Sequence, residues 1–225
     1  MQMINRQLDL NVGTKFLSIS NSDLATVFSA STGSVNFIQS SKRFYGLAKM
    51  ADYAENIPEL GGVIIPQLLL RNDNTGSKAM LVGVGLFRLV CSNGLMLSFG
   101  DAFTSKVRHI DGPKAHGILD KLPGIIEAQM ARIRSGEVFD DALTAAGQQV
   151  KDPFQVVGSL PIAATVKHAV IRTIAMDWTR PEDDVRTVWG LYNVVNEQLR
   201  RHSSRMDIAL DKDIGLLGHI QLLAA

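Results

Sequence analysis

Two long apolar runs with a turn between them constrain this chain more than any other feature. Val63-Ile-Ile-Pro-Gln-Leu-Leu-Leu70 and the stretch from Lys78 to Val90 flank Arg71-Asn-Asp-Asn-Thr-Gly-Ser77, whose Asn, Asp and Gly residues are turn formers. That arrangement predicts an antiparallel hairpin. Ser92-Asn93-Gly94 predicts a second tight turn, because Asn-Gly accepts the positive backbone angles of a type I′ turn, and Leu95-Met-Leu-Ser-Phe99 returns as a third strand. In this three-stranded meander, Lys78, Met80, Val82, Val84, Leu86, Arg88 and Val90 share one face of the middle strand. Ala79, Leu81, Gly83, Gly85, Phe87, Leu89 and Cys91 share the other, so the strand is central and covered on at least one side. Gly83 and Gly85 leave a flat patch open to close approach, and Pro66, lacking an amide donor, predicts an edge or a bulge at its position.

The flanking segments predict an α+β fold, an antiparallel β-meander packed by helices, with a helical C-terminal half. Asp9–Val12 and Lys15–Ser20 are short, partly alternating strand candidates. Ser22-Asp23 offers an N-cap for a helix through Phe28, after which Ser29–Ser34 reads as loop. Ser41 caps a second candidate helix, in which Phe44, Leu47, Ala48 and Ala51 fall at helical spacing and which Asn56-Ile-Pro58 ends. Beyond residue 110, Pro113 opens a helix with the apolar stripe Ile118, Leu119, Leu122, Ile125, Ile126, Met130 and Ile133; Pro123 should kink it and Gly136 end it. Phe139, Leu143 and Ala146 mark a shorter helix, and Ser159 with Pro161 opens another carrying Ile162, Val166, Val170 and Ile174. Thr179-Arg-Pro-Glu182 fits a capping box for a long helix with Val185, Val188, Tyr192, Val195 and Leu199 on one seam. Gly215–Leu223 is an apolar tail that should dock. The whole is read as one domain over residues 1–225, strand-rich to about 110 and helical from about 111.

Composition excludes several classes. Of 225 residues, 46% are hydrophobic and the net charge is +1, which is incompatible with intrinsic disorder. A single Cys forms no internal disulfide and fits a reducing compartment, so the expected location is the cytoplasm of a bacterial host cell. No apolar run approaches the roughly 20 residues of a membrane helix, and Met1–Arg6 opens no signal peptide. Basic and acidic residues balance in each third of the chain, so bulk charge announces no partner.

The constellations of catalysis are sparse. Gly83-Val-Gly85 lacks a third glycine and lies inside a strand, where sheet packing explains it. His109, Asp111 and His116 lack the spacing of a metal site, and Cys91 has no adjacent base, so the expectation is no enzyme, no metal and no cofactor. Glu182-Asp-Asp184 falls in the first turn of the predicted long helix, where the helix dipole alone explains it. A modest basic set remains. Lys78 and Arg88 lie on one face, about 30 Å apart along the strand. Arg88, among apolar neighbours, demands a carboxylate, a helix C-terminus or a phosphate. Lys106 and Arg108 alternate with Val107 and point together, with His109 beside them. Arg200, Arg201, His202 and Arg205 form a second set, fit for a helix C-terminus or for phosphate.

Phe87-Arg-Leu-Val-Cys-Ser-Asn-Gly94, Lys106-Val-Arg-His109 and Thr187-Val-Trp-Gly-Leu-Tyr-Asn193, in that order, resemble the phage- and plasmid-borne family called domain of unknown function 932. Its pattern runs from an Arg-hydrophobic-hydrophobic-Cys-Ser/Thr-Asn-Gly core through a basic-His element to a Trp-Gly-x-x-Asn helix. Here Val194-Val-Asn-Glu197 follows, where a Thr-Glu pair is commoner. The resemblance implies a mobile-element origin and the company of recombination, annealing and single-strand-binding genes. Two readings follow. The first is a DNA-associated protein, homo-oligomeric and able to bind or anneal single-stranded DNA, with Lys78, Arg88, Lys106, Arg108 and His109 on phosphate. Phe99, Phe103 and Tyr45 would be its stacking residues. The second is a non-catalytic module that binds a host or phage protein through an exposed Val185–Leu199 stripe.

Overall fold

Strong local signals and a long-range sheet build this molecule together. The computed structural model describes residues 19–75, 77–88, 104–107, 113–203 and 215–225, with 104–107 and 113–116 described in backbone only. The candidate strand Asp9–Val12, the Ser92–Gly94 turn, the Leu95–Phe99 strand, Cys91 and Arg205 fall outside those residues. Of Lys15–Ser20 only the end is described: Ile19 is buried in the core, and Ser20 is not strand but the cap of helix α1 (Asn21–Thr32). Its hydroxyl accepts from the Asp23 amide, so the cap sits two residues before the expected Ser22, and the helix runs on through the serines taken for loop. Leu24 and Phe28, one turn apart, are its buried anchors.

Six strands follow: β1 (Asn36–Gln39), β2 (Arg43–Lys49), β3 (Glu55–Ile57), β4 (Gly62–Asp73), β5 (Met80–Arg88) and β6 (Thr104–Val107). They form one antiparallel sheet in the order β1-β2-β4-β5-β6, with β3 pairing β4 beyond the end of β2. The β4–β5 hairpin matches its expectation, and α+β is the fold class. The strand on the far side of β5 is Thr104–Val107.

Residues 43–49 overturn the helix expected there. Phe44 and Ala48 turn to the main core and Tyr45 and Leu47 to a small cluster on the opposite face, so both sides are buried and the alternation that marks a strand disappears. Pro66 is neither at an edge nor in a bulge. Its carbonyl accepts from the Met50 amide, so its nitrogen faces the gap where the neighbour of β4 changes from β2 to β3, and no ladder bond is lost.

Six helices complete the described chain: α2 (Pro113–Arg134), α3 (Glu137–Gly147), α4 (Pro153–Ser159), α5 (Ala164–Ala175), α6 (Val188–His202) and α7 (Leu216–Ala224). Helix α2 is continuous through Pro123 and packs on α1 and β5. Helix α4 is capped by Asp152, whose carboxylate accepts from the Phe154 and Gln155 amides. Helix α6 is central, packed by α3, α5 and α7. From Val188 to Leu199 all of it is buried except Glu197, which is half-buried. The seam therefore packs within the molecule, and its residues from Val188 to Leu199 do not form an exposed stripe. The tail docks as expected, through Leu216, Leu217 and Ile220. No helix among the described residues is long and apolar enough to cross a membrane.

Candidate functional site

Helix α5 ends in a Schellman motif. The Trp178 amide donates to the Thr173 carbonyl and the Asp177 amide to that of Ile174, with Asp177 at φ 54°. This exit throws Trp178 outward, 58% exposed, with the Arg172 guanidinium 5.3 Å from its ring centroid.

The following residues form turns rather than the expected capped helix. Helix α6 begins eight residues after Thr179, at Thr187, whose hydroxyl accepts from the Gly190 amide. Asp183 accordingly stands in a turn, its amide on the Arg180 carbonyl and its side chain directed inward.

Arg88 meets it there. The strand alternation that places Met80, Val82, Val84 and Leu86 on the helix-covered face carries Arg88 into the same layer, 1% exposed. Its Nη1 and Nη2 donate to Asp183 Oδ1 and Oδ2 at 2.8 and 3.0 Å, and Asn193 Nδ2 donates to Oδ1 at 2.9 Å. Gly61, at φ 85°, borders the guanidinium so closely that an added Cβ would lie 2.5 Å from Nη1. Beside this cluster the buried Trp189 donates through Nε1 to the Leu60 carbonyl at 3.2 Å. Thus Arg88 and Asn193, distant in sequence, meet on one carboxylate, and Trp189 bonds the loop whose Gly61 borders the guanidinium.

Arg88 thus takes the carboxylate among the partners open to it, and its burial corrects the expectation that it reaches a phosphate at the surface. Lys78 is half-buried in the hairpin turn at the other end of β5. Lys106 pairs in register with Leu81, so it belongs to the Lys78 end and not to the Arg88 end. Arg108 and His109 lie outside the described residues, as do Phe99 and Phe103. Tyr45 is fully buried and cannot stack on a base. The sequence reading missed Asp183 because its acidic run was assigned to a helix's first turn. An Arg within an apolar strand was nevertheless the signal that some distant carboxylate had to be found.

Asp183 also lines a cleft of about 170 Å³ between the end of α5, the 178–183 turn and α6. Thr173, Trp178, Arg180, Gln198 and Arg201 line it too. Glu197 accepts from both Arg180, at 3.5 Å, and Arg201. Arg180 and Arg201 face the two carboxylates Asp183 and Glu197 in this lining, and Arg172 stands beside Trp178.

A family model described as Domain of unknown function (DUF932) matches residues 12–220. The chain belongs to that family. No curated protein and no solved structure matches it. In this DUF932 chain Arg88 and Asn193, two of the residues that carried the resemblance, bond Asp183, and the loop at Leu60 and Gly61 borders them. No group of three or more His, Cys, Asp or Glu among the described residues is placed to hold a metal ion.

Proposed function

We propose that this DUF932 chain is a non-catalytic, DNA-associated binding protein of mobile elements that holds single-stranded DNA at the α5–α6 end of the molecule. The observation that carries the reading is Trp178, an indole exposed beside Arg172, Arg180 and Arg201. Single-strand binders combine an aromatic face, on which any base stacks, with cations along the backbone path. A local cluster of this kind needs no bulk positive charge, which suits a chain of net charge +1. Lys78 and Lys106, with Arg108 and His109, would meet a strand passing the other end of β5, and a bacterial cytoplasm and a homo-oligomer complete the reading.

The two tryptophans make the test direct. Trp189 is buried and Trp178 exposed, so intrinsic fluorescence reports on the proposed surface. Titration with oligo-dT at about 50 mM salt is expected to quench that fluorescence, and affinity should fall steeply by about 200 mM. Trp178→Ala should weaken binding roughly tenfold, the scale of one stacked base. Arg201→Ala should flatten the salt dependence. Absence of both quenching and an anisotropy change at low salt would overturn the reading.

A further inference from the structure

Three charged side chains meet where α6 faces the 178–183 turn. The Glu197 carboxylate accepts from Arg201, one turn further along the same helix, and from Arg180, in the turn. Its side chain is 15% exposed, against 30% for Arg180 and 58% for Arg201, so it is the innermost of the three. Asn196 and Gln198 on either side of it are buried, and the helix therefore holds Glu197 at the cleft. Asp183, the other carboxylate of the lining, is turned inward and matched by the two bonds from Arg88. Glu197 thus presents its charge to both guanidiniums that the single-strand reading places on phosphate. Ion pairs this close to water add little stability and open readily, so the pairing weakens those cations as phosphate ligands without removing them.

We infer that Glu197 is a built-in competitor of the strand's phosphates, an autoinhibitory contact that holds down the affinity of this site. A phosphate that reaches Arg180 or Arg201 displaces the Glu197 carboxylate or lies beside a like charge, and either lowers the gain from binding. Stacking on the exposed Trp178 is untouched by this competition, because the indole pairs with Arg172 and not with Glu197. Binding by charge alone is therefore suppressed, and the base on the indole carries a larger share of what remains. The inference rests on the single-strand reading above and adds to it the residue that regulates that site.

The experiment measures labelled oligo-dT by anisotropy, and its displacement by inorganic polyphosphate, on the unaltered protein and on Glu197→Gln, which keeps the side chain's shape and removes its charge. Glu197→Gln is expected to bind oligo-dT roughly tenfold tighter, the scale of one unit charge a few ångströms from another near water. Its salt dependence should steepen by about one phosphate contact. Polyphosphate, which has no ring to stack, should tighten by a similar factor, placing the effect on phosphate and not on Trp178. Arg201→Ala should cost more affinity in the Glu197→Gln protein than in the unaltered one, a coupling that a purely structural role of Glu197 does not produce. Should Glu197→Gln fail to fold, Glu197→Ala, which removes the charge and favours the helix, serves in its place. Unchanged or weaker oligo-dT binding on loss of the charge, or tightening that polyphosphate does not share, overturns the competitor but leaves single-strand binding standing. No binding of oligo-dT by any of these proteins removes both readings.

Discussion

A guanidinium and a carboxylate taken out of water each lose several kcal/mol of solvation, and only close, multiple hydrogen bonds restore it. Arg88 and Asp183 meet that requirement with two parallel bonds and a third from Asn193. The pair therefore specifies where the 178–187 segment lies more than it adds stability. Asp183→Asn is expected to lower unfolding free energy by about 3–5 kcal/mol, because it strands a buried cation. Arg88→Met combined with Asp183→Leu should recover most of that loss, all but about 1–3 kcal/mol for the Asn193 amide left without its acceptor. Urea midpoints of the three proteins check this, and a double variant as unstable as Asp183→Asn would refute it.

Elements meet through a few close approaches. Helix α6 enters its first turn so near the preceding loop that a Cβ on Gly190 would lie 2.1 Å from the Asp184 carbonyl oxygen and 2.7 Å from its nitrogen. Those are backbone atoms and cannot swing aside. The Asp184 carbonyl also accepts from the Thr187 amide and hydroxyl, so the loop is tied to the helix cap. Gly190→Ala is expected to cost about 1–3 kcal/mol, as overpacking does, and to move Asp183 away from Arg88. Thermal unfolding measures the first effect. The second should appear as weaker oligonucleotide binding beyond what instability explains, because Asp183 lines the cleft and Gly190 does not.

The whole molecule has an acid limit set by a few carboxylates. Burial raises the Asp73 carboxyl, but hydrogen bonds from the Thr75 and Ser77 hydroxyls and the Thr75 amide, with Arg43 nearby, leave it below its ordinary 3.8. The Arg186 amide, against a smaller opposing effect of burial, and then the Arg186 side chain draw Asp184 down likewise. A depressed folded-state value means stability that is complete above the ordinary pKa and lost as pH falls through the lower, folded one. Asp141 runs the other way, raised chiefly by burial with Arg132 opposing, and acid relieves it. Among the described residues four carboxylates are depressed, Asp73, Asp184 and the Arg-paired surface residues Glu127 and Glu137, against the one raised. The urea midpoint should stay level down to about pH 5 and fall by about pH 3. A midpoint that rises on acidification would contradict this balance.

Residues close in sequence determined much of this protein by themselves. The β4–β5 hairpin, helix α2 from Pro113 to its end before Gly136, and the docked apolar tail all follow from periodicity and turn chemistry, which are local. The motif residues Arg88, Trp189 and Asn193 were legible as a set, and so was the need of Arg88 for a partner. Only the tertiary structure decided which partner, because Asp183 lies 95 residues away and nothing local distinguishes it from Glu182 or Asp184. It also decided that residues 43–49 are strand, since burial on both faces erases the alternation by which a strand is recognised. Likewise it placed α6 at the centre, where neighbours cover the polar positions as well as the seam. Trp178 drew no notice in sequence, for its exposure follows from how α5 ends and α6 packs, and no pattern of neighbouring residues records that.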